Sequence, residues 1–94
     1  VIITFRDKIT KKIFGGENVK LIDKELCKKV RRRLELLNAA KKIEDLYFPP
    51  SNKFHSLEGF EPPRYAIWIN NQWRISFEWH NDNNVYDVFF EDYH

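Results

Sequence analysis

The chain has a single cysteine, Cys27, so no internal disulfide can form, and that usage fits a reducing compartment. No run approaches the roughly 18 consecutive apolar residues of a membrane span. The opening Val1-Ile2-Ile3-Thr4-Phe5 is followed at once by mixed charge, so no secretory leader is expected. Cytoplasm is the expected location, with no membrane partner. Repeats and low-complexity linkers are absent. The three histidines, His55, His80 and His94, are scattered, without an H-x-x-x-H pattern or a cysteine pair, so neither a metal site nor a cofactor is expected. Lys and Arg are missing from Glu78 to Asp92, a stretch that carries five acids.

Aromatic residues are plentiful: three Trp, four Tyr and eight Phe supply the bulk of a core. The 94 residues suffice for one domain and not for two separate cores, so residues 1–94 are read as a single unit. Net charge is only +2, but it is unevenly spread, with six cations packed into Lys24 to Arg33. Such a face suits a phosphate backbone, and it equally suits a well-solvated surface helix.

Along the chain, Val1 to Phe5 reads as a short strand. Asp7 is placed to cap a helix from Lys8 to Phe14, which Gly15-Gly16 would end. Asp23 is an N-cap for the next helix, where Leu26, Val30, Leu34 and Leu37 recur on one face. Cys27 flanks that stripe as a small core residue, while Lys24, Lys28, Arg31, Arg32 and Glu35 point away from it. Alanines 39 and 40 can prolong the helix, and Ile43 to Tyr47 can add a turn before Pro49-Pro50 stops it. Beyond Pro50 the period changes from helix to strand. Residues 53–57, 64–70, 73–80 and 85–93 read as four strands, two of their links being Asn-rich and short enough for hairpins. In the third of these strands Trp73, Ile75, Phe77 and Trp79 alternate with Arg74, Ser76, Glu78 and His80. That alternation marks an antiparallel sheet with one covered face. The expected fold is α+β: a twisted, mainly antiparallel sheet of about five strands with the N-terminal helices on one side.

The open face of such a sheet would show Trp68, Arg74, Ser76 and Glu78. Trp68 is out of place there unless its strand is buried on both sides or its indole offers a stacking platform for a base, a contact of ~1–3 kcal/mol. The final residues Glu91-Asp92-Tyr93-His94 set an acid, a phenol and an imidazole side by side after the apolar run 85–90. Anchored by that strand, the three groups can accept, donate and relay protons near neutral pH. A merely polar strand end would look the same.

Three segments together carry a family resemblance: Asn71-Gln72-Trp73-Arg74-Ile75-Ser76-Phe77, the terminal Asp92-Tyr93-His94, and Pro49-Pro50-Ser51-Asn52 ahead of His55-Ser56-Leu57. They resemble the HigB toxins, also called plasmid maintenance killer proteins, of the RelE toxin–antitoxin superfamily, over essentially the whole chain. The resemblance implies a RelE-like fold and an endoribonuclease that cleaves messenger RNA in the ribosomal decoding site without a metal. It also implies inhibition by a helix-turn-helix antitoxin of the HigA type, with operator DNA bound only through the toxin–antitoxin complex.

In the implied reaction a ribose 2′-hydroxyl attacks its own 3′-phosphate and the 5′-oxygen leaves. Arg74 suits charge stabilisation on the phosphate, being a permanent cationic fork on a strand. His94 suits proton transfer, Tyr93 positioning of the 2′-hydroxyl or stacking, and Asp92 orientation of His94 or a part in the proton transfer itself. Lys53, Arg64 and Trp68, with Lys28, Arg31 and Arg32 on the helix, are the candidate RNA contacts. The commoner fate of a strand arginine is an ion pair, here with Glu78 or Asp92. His55 reads as structural.

Two departures matter. Where many relatives carry His-Pro-Leu-Lys-Gly, this chain reads His55-Ser56-Leu57-Glu58-Gly59, and Trp68 stands where relatives often have arginine. Losing two cations weakens attraction for a phosphate backbone unless Lys53, Arg64 or the basic helix compensates. A catalytically weak or silent RNA- or antitoxin-binding domain is therefore the alternative function.

Overall fold

Capping chemistry sets both helices. The Asp7 side chain accepts from Thr10 N at 3.1 Å and opens α1 (Lys8–Phe14), which Gly15 closes. Asp23 does the same for α2 (Lys24–Ala39), accepting from Leu26 N at 3.2 Å. Each cap satisfies one amide that the first helical turn leaves without a partner. On α2 the buried face is Cys27, Val30, Leu34 and Leu37, with Leu26 at its margin. The helix stops at Ala39 because Ala40 turns to an extended backbone. Ile43–Tyr47 forms a separate 3-10 turn instead of prolonging α2, and a second one covers Pro50–Asn52.

The computed structural model describes residues 1–93. Four strands follow the helices: β1 (His55–Leu57), β2 (Arg64–Trp68), β3 (Trp73–Trp79) and β4 (Val85–Asp92). They pair antiparallel in the order β1-β2-β3-β4. Asn70 builds the β2–β3 turn by accepting from both Gln72 N and Trp73 N at 2.9 Å, which is the mechanism that makes Asn a turn residue.

The expected N-terminal strand takes a lesser form. Residues 1–6 run parallel beside β4 through two isolated bridges, Ile2 to Val85 and Phe5 to Val88, so the sheet has four strands and not about five. The cause lies in β4. Asp87 has φ +55, and the β3–β4 register slips between Ser76 and Glu78, so one surplus residue interrupts the ladder on both sides. Thr4 repairs the gap, its hydroxyl accepting from Asp87 N at 2.8 Å.

One core joins all of this. Ile13 of α1 and the α2 stripe pack on Ile67, Ile69, Ile75, Phe77, Val85, Val88 and Phe90, each large side chain contributing about 1.5–3 kcal/mol on burial. The helices thus cover the sheet face expected to be greasy, and the opposite face is mainly polar, with Trp68 and Phe89 as its large apolar members. Among the described residues no helix is long and apolar enough to cross a membrane.

Candidate functional site

On β2 and β3 the strand alternation turns Trp68, Arg74 and Ser76 to the open face, and Trp68 stands opposite Arg74 in the ladder. On β4 the surplus residue shifts the phase, so Asp87, Phe89 and Glu91 all join that face while Val88 and Phe90 enter the core.

Arg74 pairs with Glu91, its register partner. Arg74 Nε donates to Glu91 Oε1 at 2.8 Å and Nη2 lies 2.6 Å from the same oxygen. Neither Glu78 nor Asp92, the acids the sequence offers as partners, takes it. Asp92 instead accepts from Gln72 Nε2 at 3.0 Å at the end of β4. No hydrogen bond among the described residues uses Arg74 Nη1, and the guanidinium sits 5.3 Å from the centre of the Tyr93 ring.

Trp68 organises the rest. Its Nε1 donates to the Tyr93 hydroxyl at 3.1 Å, and that hydroxyl donates to Asn70 O at 3.1 Å, so the phenol is fixed from two sides. Lys53 Nζ lies over the indole at 4.2 Å and Lys29 Nζ at 5.6 Å. A tryptophan quadrupole holds such ammonium groups by roughly 0.5–1 kcal/mol each at exposed sites. Lys53 is presented by a left-handed backbone (φ 47) just after the buried Asn52. Arg33 of α2 donates to Trp68 O at 3.3 Å. The indole therefore acts as a seat for cations, and a base stacking on it would have to share its faces with them.

Four expected site residues, Arg74, Trp68, Tyr93 and Lys53, thus meet in one patch, with Asp92 at its margin. His94 lies outside the described residues. Arg64 is on the open face yet only 2% exposed, bonded to Ser76 and Asp87, so it offers no free cationic head to a ligand. Lys28 and Arg32 are exposed and border a groove of about 370 Å3 on α2, together with Glu25, Lys29 and Arg33. Arg31 is spent within the fold, donating to Ile13 O at 2.8 Å and Glu17 O at 3.0 Å, which ties the end of α1 to α2. His55 is exposed on β1, its Nδ1 2.8 Å from Lys53 O. Among the described residues no group of three His, Cys, Asp or Glu side chains is arranged to hold a metal ion.

Sequence reasoning names Glu91 only within the terminal cluster and gives neither it nor Lys29 a place in the site. The available signals were weak: Glu91 differs in parity from the core residue Phe90, and Lys29 and Arg33 are one helical turn apart. Asp87, on the same face, has a carboxyl that burial pushes up but that the Arg6 and Arg64 guanidiniums bring below the ordinary carboxylate value.

Comparison with known proteins gives consistent matches. A family model described as the RelE-like toxin of the type II toxin–antitoxin system HigB matches residues 3–94. Toxin HigB-1 of Vibrio cholerae serotype O1 (strain ATCC 39315 / El Tor Inaba N16961) is 33% identical over 78 residues, 82% of each chain. An uncharacterised protein of Haemophilus influenzae (strain ATCC 51907 / DSM 11121 / KW20 / Rd) is 33% identical over 85 residues, 87% of this chain and 84% of its own.

Proposed function

Since the chain belongs to the HigB-like family of RelE-type toxins from type II toxin–antitoxin systems, we propose that it is an endoribonuclease that cuts messenger RNA on the ribosome and thereby arrests translation. The observation that supports this reading most is the convergence of Arg74, Tyr93, Trp68 and Lys53 on one exposed patch.

The proposed reaction needs three things. A base takes the proton of a ribose 2′-hydroxyl, whose oxygen bonds to the adjacent phosphorus. A cation stabilises the charge gathering on the non-bridging oxygens. An acid protonates the 5′-oxygen as its bond to phosphorus breaks, leaving a cyclic phosphate and a 5′-hydroxyl. Arg74 takes the second role, offering Nη1 to the phosphate while Glu91 holds the other edge. Because Glu91 cancels the charge of Arg74, the long-range attraction for RNA falls to Lys53 and Lys29, which replace the lysine lost at Glu58. Tyr93 positions the ribose. His94 and Asp92 divide the proton transfers. No step calls for a metal ion. The antitoxin that family membership implies is proposed to be a HigA-type helix-turn-helix protein, through which alone operator DNA is bound.

The test is induction of the chain in cells, with translation and transcript ends followed over time. Arg74→Ala and His94→Ala are each expected to abolish growth arrest and new transcript ends while the proteins remain folded. Full toxicity in both variants refutes the assignment. The Arg74–Glu91 pair and the acid at position 58 favour a second reading, a silent domain that binds RNA or antitoxin. It predicts antitoxin binding with no new transcript ends from the unaltered chain.

A further inference from the structure

The polar face of the sheet carries a connected chain of side chains that the reaction itself does not call for. Glu91 uses Oε1 for Arg74 and Oε2 for the Ser76 hydroxyl, which donates at 2.8 Å. Ser76 is fully buried and accepts in turn from Arg64 Nη2 at 3.1 Å. Arg64, its side chain 3% exposed, ends on Asp87, donating to Oδ2 at 2.7 Å and to the main-chain oxygen at 2.9 Å. Arg6 closes the far end on the same Oδ2 at 2.7 Å.

Two facts argue that this order is there to hold one particular atom group. A buried arginine is expensive to maintain and is retained only with full pairing. Arg64 is paired with Asp87, and what it supports through Ser76 is Glu91, among the described residues the one acid bonded to Arg74. Second, a free arginine samples many rotamers. Glu91 takes Nε and Nη2 of Arg74 on one oxygen and is itself fixed through the other, so the remaining Nη1 edge has one direction to face. The surplus residue in β4 completes the arrangement, because it turns Asp87 and Glu91 to the open face although Val85, of the same parity, lies in the core.

We propose that Glu91, Ser76, Arg64 and Asp87 form a positioning relay that orients the Arg74 guanidinium toward the scissile phosphate. The proposal rests on the nuclease reading above and assigns these four residues no contact with RNA. It also replaces the expectation that Arg64 binds RNA directly. Pre-setting the fork matters because misplacing a catalytic group by about 1 Å can lower a rate about 100-fold.

The experiment is single-turnover cleavage of messenger RNA on programmed ribosomes by purified wild-type protein and by Arg74→Ala, Glu91→Gln, Ser76→Ala and the double variant Ser76→Ala/Glu91→Gln. Thermal unfolding of each variant is followed alongside. The relay predicts a maximal rate constant about 10- to 100-fold lower in Glu91→Gln and in Ser76→Ala, with half-saturating concentration within about twofold of wild type. It also predicts a double variant no slower than Glu91→Gln alone, since both changes break one chain. Should Ser76→Ala fail to fold, Glu91→Gln, whose side chain is 18% exposed and not fully buried, carries the same test. Wild-type rates in Glu91→Gln with Arg74→Ala inactive overturn the relay and leave the nuclease standing. Absence of cleavage by the wild type overturns both.

Discussion

Asp87→Asn is the sharpest test of how the polar face is held together. The substitution keeps the shape of the side chain and suits φ +55, a conformation Asn tolerates. It removes the charge from an oxygen that receives Arg6 Nε at 3.0 Å, Arg6 Nη2 at 2.7 Å and Arg64 Nη1 at 2.7 Å. Stripping a fully buried arginine of its partner costs about 3–5 kcal/mol. The loss here is smaller, because Arg64 keeps Ser76, the Asp87 main-chain oxygen and Glu78 at 3.6 Å. One charged hydrogen bond, about 2 kcal/mol, is the expected deficit at pH 7. For a chain of this size that lowers the melting temperature by roughly 8–16 °C. Arg6→Ala is the control: its side chain is 43% exposed, so the same acid loses only a solvated partner, at under about 1 kcal/mol.

The pH dependence has a fixed sign. Asp87 in the folded protein titrates below the ordinary carboxylate value, so its contribution is complete above the unfolded value of about 3.9 and disappears as pH falls through the folded one. Urea unfolding from pH 7 down to pH 2 should show the variant less stable by a constant amount above about pH 5, with the two curves converging in stronger acid. A variant within about 0.5 kcal/mol of wild type at pH 7, or a deficit that persists undiminished at pH 2, refutes the account.

Other expectations follow from the same geometry. Lys53→Ala should flatten the dependence of single-stranded RNA binding on salt by about 0.7 in the log–log slope, read by fluorescence anisotropy, as one neutralised phosphate requires. Trp68→Leu removes the seat of that lysine, so it should weaken binding similarly, and adding Lys53→Ala to it should cost little more. Leu34→Ala, at the centre of the buried α2 stripe, should destabilise by about 2–5 kcal/mol in the same urea assay without changing the salt slope.

The helices and the faces of the sheet were largely readable from residues alone, because local rules decide them. Asp7 and Asp23 announce both helix starts, and the alternation from Trp73 to Trp79 separates core from open face without help from the rest of the fold. Trp68 beside Arg74 also follows from parity. The partner of Arg74 did not follow, since it depends on β3–β4 register, which a surplus residue at Asp87 shifts and composition does not announce. The internal bonding of Arg31 and Arg64 was not legible for another reason. An exposed cation and one bonded to carbonyls or buried acids have the same letter, and only packing tells them apart. The N-terminal segment was half right: Ile2 and Phe5 do pair with β4, but the interruption at Asp87 reduces the pairing to separate bridges.

That interruption also governs which kinds of sequence change the last strand can absorb. With two adjacent side chains on one side at positions 86 and 87, all that comes after is half a period out of step with what precedes it. Deleting one of those two residues would restore regular pleating and leave Phe90 inward and Glu91 outward, whereas losing Phe89 instead would swap their roles, driving a carboxylate inward and a phenyl ring into water. Point replacements along the strand should accordingly be borne far more readily than one-residue gains or losses outside that pair.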